Sequence, residues 1–222
     1  MPIMKSRKTK RAIWLLVLVV VVAFAFLWRK AANHRIEAHL NEARGNLRSM
    51  SMALFEFETA YGAYPNNETA KQVIENTETK LPLDDDSSNA IFRQLIASQV
   101  SPSEEVFYAR IPGAREPDND LRKPGNVLAK GEVGFSYITG LTSESPSECP
   151  LVVTPLVPGT NRFDPKPFKG KAVILRVCGF PDGLEVLPIK KRGEVIDASG
   201  KHLLDKDHPI WRGKAPVILW PE

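Results

Sequence analysis

An uninterrupted apolar run constrains this chain more than any other feature: Ala12 to Trp28, seventeen residues with no charge, no Gly and no Pro. Its only polar side-chain atoms are the indole nitrogens of Trp14 and Trp28, one near each end. As a helix it reaches roughly 25 Å, just short of a hydrocarbon core of about 30 Å. Indole rings settle at the headgroup level, and flanking Lys and Arg snorkel to complete the span. The run predicts one transmembrane helix, with lipid as its first partner. The small-residue pair Ala23 and Ala25 lies inside the run, and Phe26-Leu27-Trp28 would follow a cut there. Retention as an anchor is therefore expected over a cleaved signal peptide.

The helical pattern continues past the membrane. Ile36, Leu40, Ala43, Leu47, Met50, Leu54, Phe57 and Tyr61 recur at alternating steps of four and three, which places them on one helical stripe. Glu37, Asn41, Glu42, Arg44, Arg48, Glu56 and Glu58 occupy the other faces. Gly62 suits the C-cap and Pro65 the stop. Four regions follow: a basic arm over 1–11, a transmembrane helix over 12–28, an amphipathic helix over 29–61 and a β-rich domain over 62–222. Leu47 to Tyr61 would form the spine of that domain. Ile36, Leu40, Ala43 and Leu47 are the candidate helix–helix interface with a second copy or another protein, as in a coiled coil of about one heptad.

Charge distribution narrows the partners. Residues 1–35 hold eight Lys/Arg and no acid, whereas the rest of the 222-residue chain carries 22 basic and 26 acidic residues. The basic excess belongs to the membrane flanks, so nucleic acid is not an expected partner. Five positive residues precede the span against three just after it, which predicts a cytoplasmic N-terminus and a periplasmic or external domain.

Beyond Tyr61, Tyr61-Gly-Ala-Tyr-Pro65 reads as a helix exit. A short helix is expected over Glu68–Thr79 and another over Asn89–Gln99, with Ile91, Phe92, Leu95 and Ile96 inward and N-caps drawn from Asp84–Ser88. Strands are expected over Glu105–Ala109, Val133–Ile138, Leu151–Thr154, Lys171–Cys178, Leu184–Ile189 and Ala215–Trp220. The pair flanking Pro181-Asp182-Gly183 reads as a hairpin, and Pro188 marks the second as an edge or an ending strand. In the first of the pair Val173, Leu175 and Val177 would share one face. The connection over 110–131 is long and turn-rich, which suggests mobility or a functional insertion, and 155–170 is a further Pro/Gly loop. Segregated helix and hairpins predict an α+β fold, the long helix packed on a small antiparallel sheet.

Few residues suggest chemistry. Cys149 and Cys178 are the only cysteines and form a candidate disulfide, although nothing in their spacing brings them together. His202, Asp205, Asp207 and His208 are the densest potential ligand set, but their spacing fits no zinc pattern, and charged residues in a turn explain them. Asp84-Asp85-Asp86 lacks the alternating ligands and loop glycine of a calcium loop. No nucleophile elbow, phosphate loop or dinucleotide fingerprint occurs. A non-enzymatic role without cofactor or metal is expected.

The segment Asn46-Leu-Arg-Ser-Met-Ser-Met-Ala-Leu-Phe-Glu-Phe-Glu-Thr-Ala-Tyr-Gly-Ala-Tyr-Pro65 resembles the end of the long helix in type II secretion pseudopilins and related type IV pilin-like proteins. The hairpin Val173–Ile189 is similar to a terminal hairpin in that family. The resemblance implies a membrane-anchored structural subunit of a secretion or envelope assembly in the bacterial inner membrane, one that associates with pseudopilin-like or other secretion-system proteins. The junction Lys10-Arg11-Ala12-Ile13-Trp14 departs from the family's leader, and no Glu occurs in the first 36 residues, where the family carries one at the fifth mature position. The alternative is a single-pass anchored binding module whose ligand meets the 110–131 and 155–170 loops. An anchored hydrolase stands third, because triads assemble from residues far apart in sequence.

Overall fold

The computed structural model describes residues 7–83, 87–179 and 181–222, with side chains from residue 14 on. One helix, α1 (Arg7–Tyr61), carries both the apolar run and the stripe. The chain divides into two compact units, Met1–Ala38 and His39–Glu222. In the second unit Leu40, Ala43, Leu47, Met50, Leu54 and Phe57 are all buried, and Tyr61 stacks on Phe57 with ring centroids 4.5 Å apart. The four-three spacing thus reads directly as the buried face. Gly62 ends the helix at φ 78°, its N–H bonded to the Glu58 carbonyl. A glycine tolerates that left-handed conformation without steric cost.

Two short helices follow. Asn66 caps α2 (Asn67–Thr77): its Oδ1 accepts from the Glu68 and Thr69 amides while Thr69 Oγ1 accepts from the Asn66 amide. This reciprocal pair satisfies donors that the first turn leaves orphaned. Ser87 caps α3 (Ser88–Ala97), accepting from the Ala90 amide, while Asp84–Asp86 lie outside the described residues. The expected apolar face of α3 is buried, but so are Asn89, Arg93 and Gln94. Burial of polar groups is tolerated only with partners. Thr69 donates to Gln94 Oε1, and Gln94 Nε2 donates to the Asn66 carbonyl, which ties α3 to the α2 cap.

Five antiparallel strands form one sheet: β1 (Ser136–Thr139), β2 (Pro150–Thr154), β3 (Lys171–Arg176), β4 (Leu184–Pro188) and β5 (Val217–Leu219), in the order β4-β3-β2-β1-β5. Pro188 closes an edge strand, where its missing N–H costs no ladder bond. The chain is an α+β fold with a long apolar N-terminal helix and a small antiparallel sheet. Two tyrosines pin the sheet to the end of the helix. Tyr64 donates its hydroxyl to the Val177 carbonyl, and Tyr137 to the Pro65 carbonyl. Burial, followed by the Glu58 charge, pushes the Tyr64 hydroxyl up to about 12, and burial raises Tyr137 too, so both remain donors.

Both faces of β3 are covered, since Ala172 through Leu175 are all buried. Segment 189–216 contributes Val195, Leu203, Leu204 and Trp211 to the same core as α1. A strand over Glu105–Ala109 is replaced by a single 3-10 turn, Glu104–Phe107, capped by Ser103 Oγ on the Glu105 amide. Phe107 turns inward to stack on Phe92 at 5.1 Å. Its carbonyl accepts from Gly134, where a Cβ would lie 2.4 Å from the Ala109 nitrogen. Only glycine allows that approach, and β1 begins two residues later.

Candidate functional site

The first unit presents a continuous apolar surface. Trp14, Phe24 and Trp28 are 74%, 65% and 70% exposed, and every side chain from Trp14 to Trp28 is exposed. Water does not sustain an apolar patch of this extent; hydrocarbon does, because a helix satisfies its backbone bonds internally. Among the described residues this is the one helix long and apolar enough to cross a membrane. The basic arm lies largely outside the described residues.

Of the four candidate interface residues, Leu40, Ala43 and Leu47 lie in the core of the second unit, 4%, 0% and 0% exposed, while Ile36 in the first unit is half-buried. The core begins with the second residue of that unit, so the stripe from Leu40 onward is covered by the chain's own fold. The exposed apolar residues of this part of α1 are instead Met52 and Phe55, 57% and 71% exposed. They border a groove of about 450 Å³ whose other walls include Leu151, Val177 and Cys178. Their positions between stripe residues concealed them as a surface feature.

The candidate disulfide is absent: both thiols are free, Cys149 buried and Cys178 exposed. Val177 donates its amide to the Cys149 carbonyl, continuing the register Pro150↔Arg176, so Val177 stands across from Cys149. Cys178 follows in the turn after β3, its amide donating to the Ser147 carbonyl. Burial raises both thiols above their ordinary range, which disfavours thiolate.

The histidine–aspartate cluster separates into structural roles. His202 is buried, accepting from the Val195 amide through Nδ1 and meeting the Asn161 carbonyl through Nε2 at 2.7 Å. Asp205 accepts from Asn161 and lies 3.4 Å from Arg162. Buried His208 joins two residues that the sequence did not single out: its Nε2 lies 2.9 Å from Asp197 Oδ2 and 3.0 Å from Ser199 Oγ. Acid, histidine and serine meet, but not as a relay. Both partners converge on one ring nitrogen, and Ser199 Oγ donates to Asp197 Oδ1 at 2.6 Å. A hydrolytic triad needs the acid and the serine on opposite nitrogens.

Burial opposes the charge on Asp197, but the bonds from Ser199 and His208 outweigh it and hold the carboxyl below its ordinary value. A depressed folded-state value contributes stability above the unfolded value, about 3.9, which is lost as pH falls through the folded one. Asp197→Asn should lower the melting temperature by about 2–4 °C at pH 7, for about 1 kcal/mol of hydrogen bonding. The gap between the two proteins should begin to close as pH falls below about 3.9. A constant gap down to pH 3 would refute this account.

The 110–131 connection, expected to be mobile or functional, is gripped from beneath by four buried side chains. Arg93 donates to the Val127 and Leu128 carbonyls and Asn89 to the Leu128 carbonyl. Glu104 accepts from the Leu128 amide and Glu132 from the Ala129 amide. Between this connection and the 155–170 loop lies a cleft of about 340 Å³, walled by Pro112, Gly131, Pro155, Pro158 and Trp220.

No protein-family model matches the chain, and comparison with curated proteins and with solved structures gives no significant match. What stands on the structure is a general pilin-like plan, a long apolar N-terminal helix packed on a small antiparallel sheet, in a membrane-associated chain.

Proposed function

We propose that this is a non-enzymatic, single-pass protein of a bacterial inner membrane, with a cytoplasmic N-terminus and a periplasmic C-terminal domain. In this reading it serves as a pseudopilin-like structural subunit of a secretion or envelope assembly involved in protein transport. The observation carrying it is the continuity of α1: the helix that exposes Trp14–Trp28 is also the helix whose Leu40–Phe57 stripe builds the domain core. Such a chain positions a domain relative to a membrane, which is work for a structural part. The basic flanks support the orientation, and the Asn46–Pro65 likeness supports the family reading.

Orientation has a built-in reporter. Cys178 is the one exposed thiol among the described residues, and Cys149 is buried. A membrane-impermeant maleimide should label intact spheroplasts of the producing cell at Cys178, and Cys178→Ser should abolish the signal. Labelling only after lysis would overturn the topology. Assembly is tested with a photocrosslinking residue at Ile36, Met52 or Phe55. A discrete two-copy adduct is expected at one position at least, and monomer at all three would refute self-association. The cleft between the 110–131 and 155–170 loops favours a second reading, an anchored binding module. That module would stay monomeric and lose its ligand when Trp220 is replaced.

A further inference from the structure

Glu104 and Glu132 are both fully buried, and they grip consecutive amides of one turn. Glu104 Oε1 accepts from Leu128 at 2.5 Å and Glu132 Oε2 from Ala129 at 2.8 Å. Their second oxygens, Glu104 Oε2 and Glu132 Oε1, are buried without a hydrogen bond. The turn they hold is strained, since Leu128 has φ 46°, which an L side chain rarely adopts.

The surrounding charges do not balance two carboxylates. Arg115 Nη2 lies 3.0 Å from Glu132 Oε1, but its side chain is 56% exposed. From α3, Arg93 is committed to the Pro82, Val127 and Leu128 carbonyls and lies 3.7 Å from Glu222. Lys123 lies beside Asp120. Asp118 adds a further negative charge facing Glu104, and the neighbouring Glu105 bonds Asn119. Among the described residues one cation thus faces two buried carboxylates, and burying an unpaired charge is costly.

We propose that the Glu104–Glu132 pair is a proton-binding site: it holds one proton at pH values where exposed carboxylates are ionised, and losing that proton releases the 119–129 turn. The proton comes from water and returns to it. A bound proton removes one of the two buried negative charges, which is the costly element of the arrangement. Among the described residues no three His, Cys, Asp or Glu side chains gather as metal ligands, and a hard divalent cation wants about six to eight oxygens, so a proton fits the set better. Burial pushes the Glu104 carboxyl up, the Leu128 amide opposes that, and the Glu132 charge adds to it. A raised folded-state value gives stability that is complete below the ordinary carboxylate value and is lost as pH rises through the folded one.

The test is hydrogen–deuterium exchange of the 119–132 segment in the full chain in detergent, at pH 5 and pH 8, referenced to Glu104→Gln. Gln keeps an acceptor for Leu128, supplies a donor and cannot ionise. Protection of the wild-type turn relative to the variant should fall about tenfold between the two pH values. A constant ratio overturns the proposal. Should Glu104→Gln not fold, Glu132→Gln provides the same comparison, because removing the repelling charge should flatten the response. Protection at pH 8 that depends on calcium and disappears with EDTA would overturn the proton reading in favour of a cation.

Discussion

Phe57→Ala should destabilise the domain by about 3–5 kcal/mol, the usual range for deleting a buried aromatic ring. Phe57 is fully buried, and its ring stacks on Tyr61, so truncation removes both the cavity-filling volume and an aromatic pair worth about 0.5–1.5 kcal/mol. The control is two residues away on the same helix. Phe55→Ala deletes the same ring from a site 71% exposed and should change stability by about 0.5 kcal/mol or less. Urea unfolding of the full chain in detergent, followed by tryptophan fluorescence, measures both. Equal midpoints for the two variants would mean that the stripe is not the spine of the domain.

The second large effect concerns the membrane. Val20→Asp places a charge near the centre of the apolar run, at a position 60% exposed to its surroundings. A charged residue at a helix centre costs about 2.5–3.5 kcal/mol on insertion scales, and Val is itself favourable by a few tenths. A run of seventeen residues is already short for a span and has no reserve. Val20→Asp should shift the chain out of the membrane fraction and abolish Cys178 labelling in spheroplasts, whereas Ile74→Asp on the domain surface should do neither. Unchanged membrane retention of Val20→Asp would place the apolar surface against something other than lipid.

What the sequence disclosed follows from the range of the interactions involved. The stripe from Leu40 to Phe57 and the hairpin of β3 and β4 rest on spacings between near neighbours in the chain, so their periodicity was readable. The two-faced burial of β3 was not, because it depends on core residues far away in the chain, such as Val195 and Leu203. The Glu105–Ala109 segment has β-forming residues, yet the Ser103 cap and the Phe92–Phe107 stack favour a tight turn. The most consequential groups were the least legible. Arg93 bonds a carbonyl 34 residues away and Glu104 an amide 24 away. Asp197, Ser199 and His208 meet only because the segment folds back on itself. At Arg93 and Gln94 of α3 the available signal was a polar residue inside an apolar pattern, whereas Glu104, Asp197, Ser199 and His208 sit in polar stretches that carried none.

The sheet's margins bear on how such molecules would coexist at high density. Anchored chains share a plane and meet far more often than they would in bulk water, and exposed strand edges are where β-proteins coalesce irreversibly. Here β4 ends at Pro188 and runs into exposed Lys190, Lys191 and Arg192, while β5 is three residues long. Both margins are poor templates for another strand. Lateral crowding would therefore leave the sheets separate.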